Sequence, residues 1–443
     1  MLAGCAYLQL QYEANLIRSE IVVIRGVLHL DHPPRDPVVV VLSRDQANGG
    51  PYQVDFQLLY DSGPFYFAAL PGTYRLAAFE DSGGGINYAP GDPAVLLPTP
   101  LVATRGKDLT GIEIHGPFRT DVRLDDRFDL TGSDGRTQLS LSHRNLGEVV
   151  SLGDPRLSSE MGQAGLWRPG EYLLAVESGI FFLQPYDAKK IPVLFIHGIG
   201  GAPIQFAEII ESLDHERFQP WVFAYPSAFP LEFLGDALGA MLQLLERRYA
   251  FEQIHLVAHS MGGLVARAYL REAVLNHAPQ RVGLFVSLAT PWGGHEGARL
   301  YPGTDPRALD HLRAKTDDEN EPAPQPLRSR PDLLALRSGN YPHLSWLDMA
   351  PESEFLSELY DVPLPPNVRF HLIFAFLGST ANWTGTAGDG VVSLASELRP
   401  AAQKEAVGEF GFELDHDALL VSPEVKAYLR KLFSEPLLVH PNE

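Results

Sequence analysis

From Ile191 to about Thr290 the chain repeats one unit, a short uninterrupted apolar run followed by a segment with helical period. VLFIHG (193–198), WVFAYP (221–226), IHLVAH (254–259) and VGLFVSLAT (282–290) lack polar alternation, so strands made of them must be covered on both faces. Between them lie QFAEIIESL (205–213), a stretch from Leu231 to Tyr249, and a segment carrying Leu264, Val265 and Ala268. In the second of these, Leu234, Leu238, Met241, Leu245 and Tyr249 recur on one helical face. A strand, a helix and a further strand return the chain to a parallel neighbour by a right-handed crossover, so the pattern predicts an α/β fold with a mostly parallel sheet.

At 443 residues the chain exceeds what one core supports, and its first part reads differently. IVVIRGVLHL (21–30), VVVVL (38–42), YQVDFQLLY (52–60), FYFAAL (65–70), TYRLAAF (73–79) and LTGIEI (109–114) are short strands between Gly, Pro, Asp and Asn clusters. They predict a small antiparallel β-sandwich over residues 21–117. Strand-like segments continue through 118–190, as LSLSHR (139–144), GEVVSL (147–152) and EYLLAVESGIFFL (171–183), and are assigned with the α/β region, 118–443. Residues 296–365 break the rhythm with TDDENEPAPQP (316–326) before FHLIFAFLG (370–378) resumes the sheet. An insertion of that length is expected to be a lid over a site.

A formal net charge of −20, with no basic run to offset it, excludes nucleic acid as a partner. No stretch has the roughly 18 consecutive apolar residues that span a bilayer. One cysteine, Cys5, rules out intramolecular disulfides. Its context, Leu2-Ala3-Gly4-Cys5, resembles the lipobox of bacterial lipoproteins, although only Met1 to Gly4 precede it. Residues 1–20 are therefore expected to be a tether, lipid-anchored through Cys5 to a membrane surface of the bacterial envelope, in the outer membrane or periplasm; the alternative is a cytoplasmic protein with an inert thiol.

The chemistry gathers around AHSMGG (258–263), which falls between an apolar strand and a helix. A serine on that turn is presented for attack, provided its neighbours are small, which makes Ser260 the candidate nucleophile. Gly262 meets the requirement, and Ala258 stands where glycine is usual. A serine hydroxyl needs a base, and the base needs an orienting acid. His416, in FELDHDALL (412–420), follows the last strand-like segment and is the candidate base; Asp389, in GDGVVS (388–393), follows the preceding strand and is the candidate acid, with Glu413 as the main alternative. Asp415 and Asp417 flank His416 too closely to orient it. The backbone N–H groups of Met261 and of Ile199, in HGIGG (197–201), are the candidate oxyanion hole. His197 and His259 are read as structural, with His259 pointing away from Ser260. No metal or cofactor is expected.

VLFIHGIGG, AHSMGG, SLATPWGG (287–294), PESEFLSEL (351–359) and DGVVS together resemble the lipase and inositol-deacylase (PGAP-like) branch of the α/β-hydrolases, over roughly residues 190–436. The resemblance implies an α/β-hydrolase fold and acyl-ester hydrolysis, often of lipids, without a cofactor. Some relatives bind calcium near the catalytic histidine, but Asp415 and Asp417 alone offer too few oxygens. PFYFAALPGTYRLAAFED (64–81) resembles the transthyretin-like or carboxypeptidase-regulatory sandwich; it carries no catalytic constellation and is read as a spacer or folding support, with a carbohydrate- or surface-binding role as the alternative. Trp292, Trp346 and Phe355 are candidate walls of an acyl site. The expected function is therefore a serine esterase or lipase; a thioesterase, amidase or acyltransferase with the same triad is the alternative, and a non-catalytic adhesion module a third.

Overall fold

The computed structural model describes residues 22–45, 51–69, 71–83, 88–105, 107–124, 145–167, 169, 172, 178–300, 344–378 and 387–435. Cys5, LSLSHR and most of the expected lid, including TDDENEPAPQP, lie outside them.

Eight strands come first: β1 (Val22–His29), β2 (Val38–Asp45), β3 (Pro51–Leu59), β4 (Gly63–Ala69), β5 (Gly72–Glu80), β6 (Ala94–Leu96), β7 (Leu101–Ala103) and β8 (Leu109–His115). They form one sheet in the order β4-β1-β8 and a second in the order β3-β2-β5-β6, with β7 also on β5. The inner faces meet through Ile24, Leu28, Val40, Leu42, Phe65, Phe67, Leu76 and Ile114. All pairings but one are antiparallel; β8 lies parallel to β1, so the sandwich is not purely antiparallel as expected. The VVVV run also has a second partner. Val40 and Leu42 face the sandwich core, while Val39 and Val41 on the other face pack with Phe56, Phe79 and Leu244 of a downstream helix. The unbroken apolar run thus marks a strand buried on both sides, as it does in the parallel sheet.

The second part contains, in chain order, β9 (Asn145–Val149), α1 (Ser159–Trp167), β10 (Gly179–Phe182), β11 (Ile191–Ile196), α2 (Ala207–Glu211), β12 (Phe218–Ala224), α3 (Leu231–Tyr249), β13 (Ile254–His259), α4 (Met261–Leu275), β14 (Val282–Leu288), α5 (Leu344–Asp348), α6 (Glu354–Glu358), β15 (Arg369–Ala375), α7 (Leu394–Glu397), α8 (Pro400–Glu405), β16 (Gly408–Phe412) and α9 (Pro423–Ser434). Its sheet has eight strands in the order β16-β15-β14-β13-β11-β12-β10-β9, parallel throughout except where β10 meets β12. Successive residues of the central strands enter opposite cores. Leu194, Ile196, Leu256 and Ala258 pack under α3 and α4, and Val193, Phe195, Val257 and Val286 pack against α2 and α9. Truncating Leu194, Ile196 or Leu256 to alanine would cost about 2–5 kcal/mol.

Two expectations are corrected here. Residues 159–167 are helical where the sequence reads as strand-like, because Gly162 and Ala164 hide its apolar period. The small residues are there for contact: a Cβ on Gly162 would lie 2.3 Å from the carbonyl oxygen of Gly201. Trp292 is not a wall of an open site but is buried in the core, edge-on to Phe285 and Phe370.

Candidate active site

β13 delivers the chain straight into α4, and Ser260 stands at the corner with φ 54° and ψ −130°. Such a backbone conformation costs a non-glycine residue about 1–3 kcal/mol and persists only where the surroundings enforce it. They do so on several sides. The Ser260 N–H donates to the Leu288 carbonyl at 2.8 Å, and its own carbonyl accepts from Gly263 N–H at 3.0 Å. A Cβ on Gly262 would fall 2.4 Å from the Ile196 carbonyl oxygen and 2.5 Å from that of His197, so α4 reaches the strand end only with glycine there. Gly198 comes as close to the serine: its Cβ would lie 2.8 Å from that of Ser260.

At the carboxyl ends of β15 and β16 two loops bring the expected acid and base together. His416 Nδ1–H donates to Asp389 Oδ2 at 2.5 Å, and His416 N–H donates to the Asp389 carbonyl at 3.1 Å. The other carboxylate oxygen accepts the N–H groups of Val391 at 2.8 Å and Val392 at 2.7 Å. Burial pushes the Asp389 carboxyl up, but the His416 hydrogen bond and charge and the two N–H groups outweigh it and hold the group below the usual range. Asp389 is an anion whose lone pairs fix the imidazole tautomer, leaving Nε2 as the basic atom. Glu413, the alternative acid, lies beside Gly378 instead. Asp415 caps the next turn, accepting Ala418 N–H at 2.8 Å.

Among the described residues no direct hydrogen bond joins Ser260 Oγ to His416. The link runs through the preceding residue: His259 Nε2–H donates to the His416 carbonyl at 3.1 Å, with the rings 4.7 Å apart. Burial, then the neighbouring His416, pushes the His259 imidazole down to about 3, so it is a neutral donor. His259 thereby ties the end of β13 to the loop that carries His416. In free enzymes the contact between nucleophile and base is often long and tightens with substrate.

The proposed oxyanion donors flank the corner. Among the described residues neither Ile199 N–H nor Met261 N–H has an acceptor within the protein. The loop carrying Ile199 is held on both sides: Gly200 N–H donates to Ser227 Oγ at 2.9 Å, and Gln163 Nε2 of α1 donates to the Gly200 carbonyl at 2.8 Å. Ser345 Oγ of α5 in turn donates to the Ser227 carbonyl at 2.5 Å. His197 stacks on Tyr225 at 4.1 Å and its Nδ1–H donates to the Gly198 carbonyl at 2.8 Å, in keeping with a structural part; burial pushes it down to about 4.

Three supporting residues were not found by sequence reasoning. Gln163 sits in the helix that the strand-like pattern hides. His295 Nε2–H donates to the Val391 carbonyl at 3.0 Å, while its Nδ1 accepts Gly297 N–H at 3.0 Å, so it clamps the turn that holds Asp389. Glu397, fully buried at the end of α7, accepts Ala375 N–H at 3.0 Å. Burial and then the charge of Asp389 push its carboxyl well up. The one signal for any of these was a charged or polar residue in an otherwise apolar neighbourhood, which does not reveal its partner. Trp346, a candidate wall, has its ring 5.0 Å from that of His295, and Phe355 is packed partly buried against the core under α4. A cavity of about 110 Å³ lies elsewhere, between Tyr66 and the α3–α4 pair, and none of Ser260, Asp389 and His416 lines it.

Residues 191–315 match the family model described as the alpha/beta hydrolase fold. No curated protein matches the sequence. Solved structures similar to this chain include the mature lipase of Bacillus licheniformis, at 16% identity and TM-score 0.42 over 58% of this chain and 98% of that one. An esterase from Exiguobacterium antarcticum is similar at 15% identity and TM-score 0.37 over 59% and 97%. The phenylhexadienoate hydrolase of Rhodococcus is similar at 15% identity and TM-score 0.35 over 58% and 95%. With the eight-stranded sheet and a family match centred on its strand–turn–helix corner, this chain has the α/β-hydrolase fold.

Proposed function

We propose that the protein is a serine ester hydrolase acting on acyl esters, with lipid esters as the preferred class. The observation that carries this reading is the buried pair of Asp389 and His416 at 2.5 Å, together with a serine held at φ 54° on the turn that contacts the base loop. In the proposed reaction His416 Nε2 takes the proton of Ser260 Oγ as that oxygen attacks the acyl carbon. The N–H groups of Ile199 and Met261 receive the developing oxyanion. Collapse expels the alcohol, which takes the proton back from His416, and a water activated by the same histidine releases the acid. Each step draws on side chains and amides of this chain.

The finer placement in the lipase and inositol-deacylase branch rests on the motifs HGIGG, AHSMGG and DGVVS, and lipid specificity rests on that placement. The same sequence grounds support residues 1–20 as a tether with lipid on Cys5, 21–117 as a supporting sandwich, and 296–365 as a lid; intact mass of the native protein tests the first, and is incompatible with it if Cys5 carries no lipid. The central test is labelling with a fluorophosphonate, followed by hydrolysis of p-nitrophenyl esters, phospholipids and acyl-thioesters. Labelling that disappears in Ser260→Ala, with ester turnover, supports the reading. A folded wild-type protein that neither labels nor hydrolyses any ester overturns it, and preference for thioesters would reassign the substrate.

A further inference from the structure

We propose that His29, Glu113 and His115 form a surface site for a divalent transition cation, Zn²⁺ in the first instance, which ties the last strand of the sandwich to its first. The site exists because β8 lies parallel to β1. That ladder pairs His29 with His115 directly, and Glu113, two residues earlier on the same strand, projects from the same face. The donor atoms of the three side chains lie within 4.8 Å of one another. The imidazoles face each other with centroids 4.8 Å apart and planes inclined by 13°, and Glu113 Oε2 is 3.1 Å from His115 Nε2. Bonds of about 2.0–2.2 Å to a tetrahedral zinc place donors about 3.3–3.5 Å apart, so on binding these exposed imidazoles would turn out of their stack to aim one nitrogen each at a shared centre.

The backbone beneath is fixed, so little order has to be gained on binding. Leu28 and Ile114, the pair preceding the histidines, are buried in the sandwich core, and Gly116 N–H donates to the His29 carbonyl at 2.8 Å. Two imidazoles with one carboxylate suit zinc, copper or nickel rather than the oxygen-seeking magnesium or calcium. An ion pair with Glu113 would need only one histidine; the second, held opposite it, completes a three-donor set, with water taking the remaining position. The site shares no residue with the proposed triad, and its test does not depend on turnover.

The full-length protein, stripped with a chelator, should be titrated with Zn²⁺ by calorimetry and with Cu²⁺ by electron paramagnetic resonance, alongside His29→Ala, His115→Ala and Glu113→Gln. All three side chains are exposed, so the variants keep the fold. The proposal expects one saturable site whose affinity falls about tenfold or more in each histidine variant and less in Glu113→Gln, with a rise in thermal midpoint on zinc binding that both histidine variants lose. It also expects nitrogen hyperfine structure from two imidazoles on bound copper. Absence of saturable binding, or binding equal in wild type and both histidine variants, overturns it.

Discussion

The two halves of the candidate site are built by opposite means. The corner at Ser260 is made by backbone approach: α4 meets β11 where Gly262 leaves no room for a methyl group, and the serine's conformation follows from the strand on one side and the helix on the other. The acid and base are held by side-chain hydrogen bonds between loops, Asp389 through Val391, Val392 and His416, and His416 through His259. A backbone-made corner is visible as a local motif, because the residues that make it are neighbours. A hydrogen-bonded loop pair has partners scattered along the chain, and its chemistry is correspondingly easier to perturb without unfolding the protein.

The largest effects are expected from removing the reacting groups. Ser260→Ala and His416→Ala should each lower kcat by about 10⁴–10⁶, and the double variant should lose little more, since the residues act as a unit. Thermal midpoints should barely move. Near-wild-type turnover in either variant would place that role on another residue. Asp389→Asn should lose about 10⁴ by releasing the wrong imidazole tautomer. Its two N–H contacts make it the variant in which some stability is lost as well, and an unchanged rate would remove Asp389 from the site.

Two milder substitutions sharpen the contrast. His259→Ala removes the donor to the His416 carbonyl without touching a reacting atom, and a misplaced base is expected to cost up to about 10²-fold in kcat with KM little changed. Gly262→Ala should act the other way round, destabilising by about 1–3 kcal/mol through overpacking, read as a fall in denaturation midpoint. If His259→Ala lowers stability and leaves kcat intact, the division between the two halves is wrong.

A pH-dependent effect concerns the contact between the sandwich and α3. Burial, then the charge of Glu272, pushes the Asp236 carboxyl from its ordinary 3.8 up to about 8, beside the Tyr66 hydroxyl that donates to it. Between those values the folded protein keeps a proton that the unfolded chain has released, so this group's contribution to stability is full below about pH 4 and declines as pH rises to about 8. Asp236→Asn should flatten that decline in thermal midpoint. An equal slope in the variant would assign it to other groups.

Much of the α/β region could be read directly. Leu231 to Tyr249 and IHLVAH coincide with α3 and β13, because a long amphipathic period and an unbroken apolar run each have one structural solution. Ser260, Asp389 and His416 were singled out as candidates, the first by its local motif and the others by their order after the last strands, and the structure brings Asp389 and His416 together. What escaped had its meaning elsewhere in the chain. α1 looked unlike a helix because Gly162 serves a contact with Gly201, and the VVVV run could not announce Leu244 as its outer cover.

The sequence by itself determined most elements of the α/β region and the strand–turn–helix corner at Ser260, since period, apolar run and small-residue turn act over a few residues. Only the tertiary structure decided which partners complete them: His295 behind the Asp389 turn, Gln163 and Ser227 on either side of the Ile199 loop, β8 parallel to β1, and His29 opposite His115. The physical reason is that these contacts are between single polar atoms or strand registers set by the packing of whole layers, and nothing in a residue's neighbours along the chain records what will be brought against it.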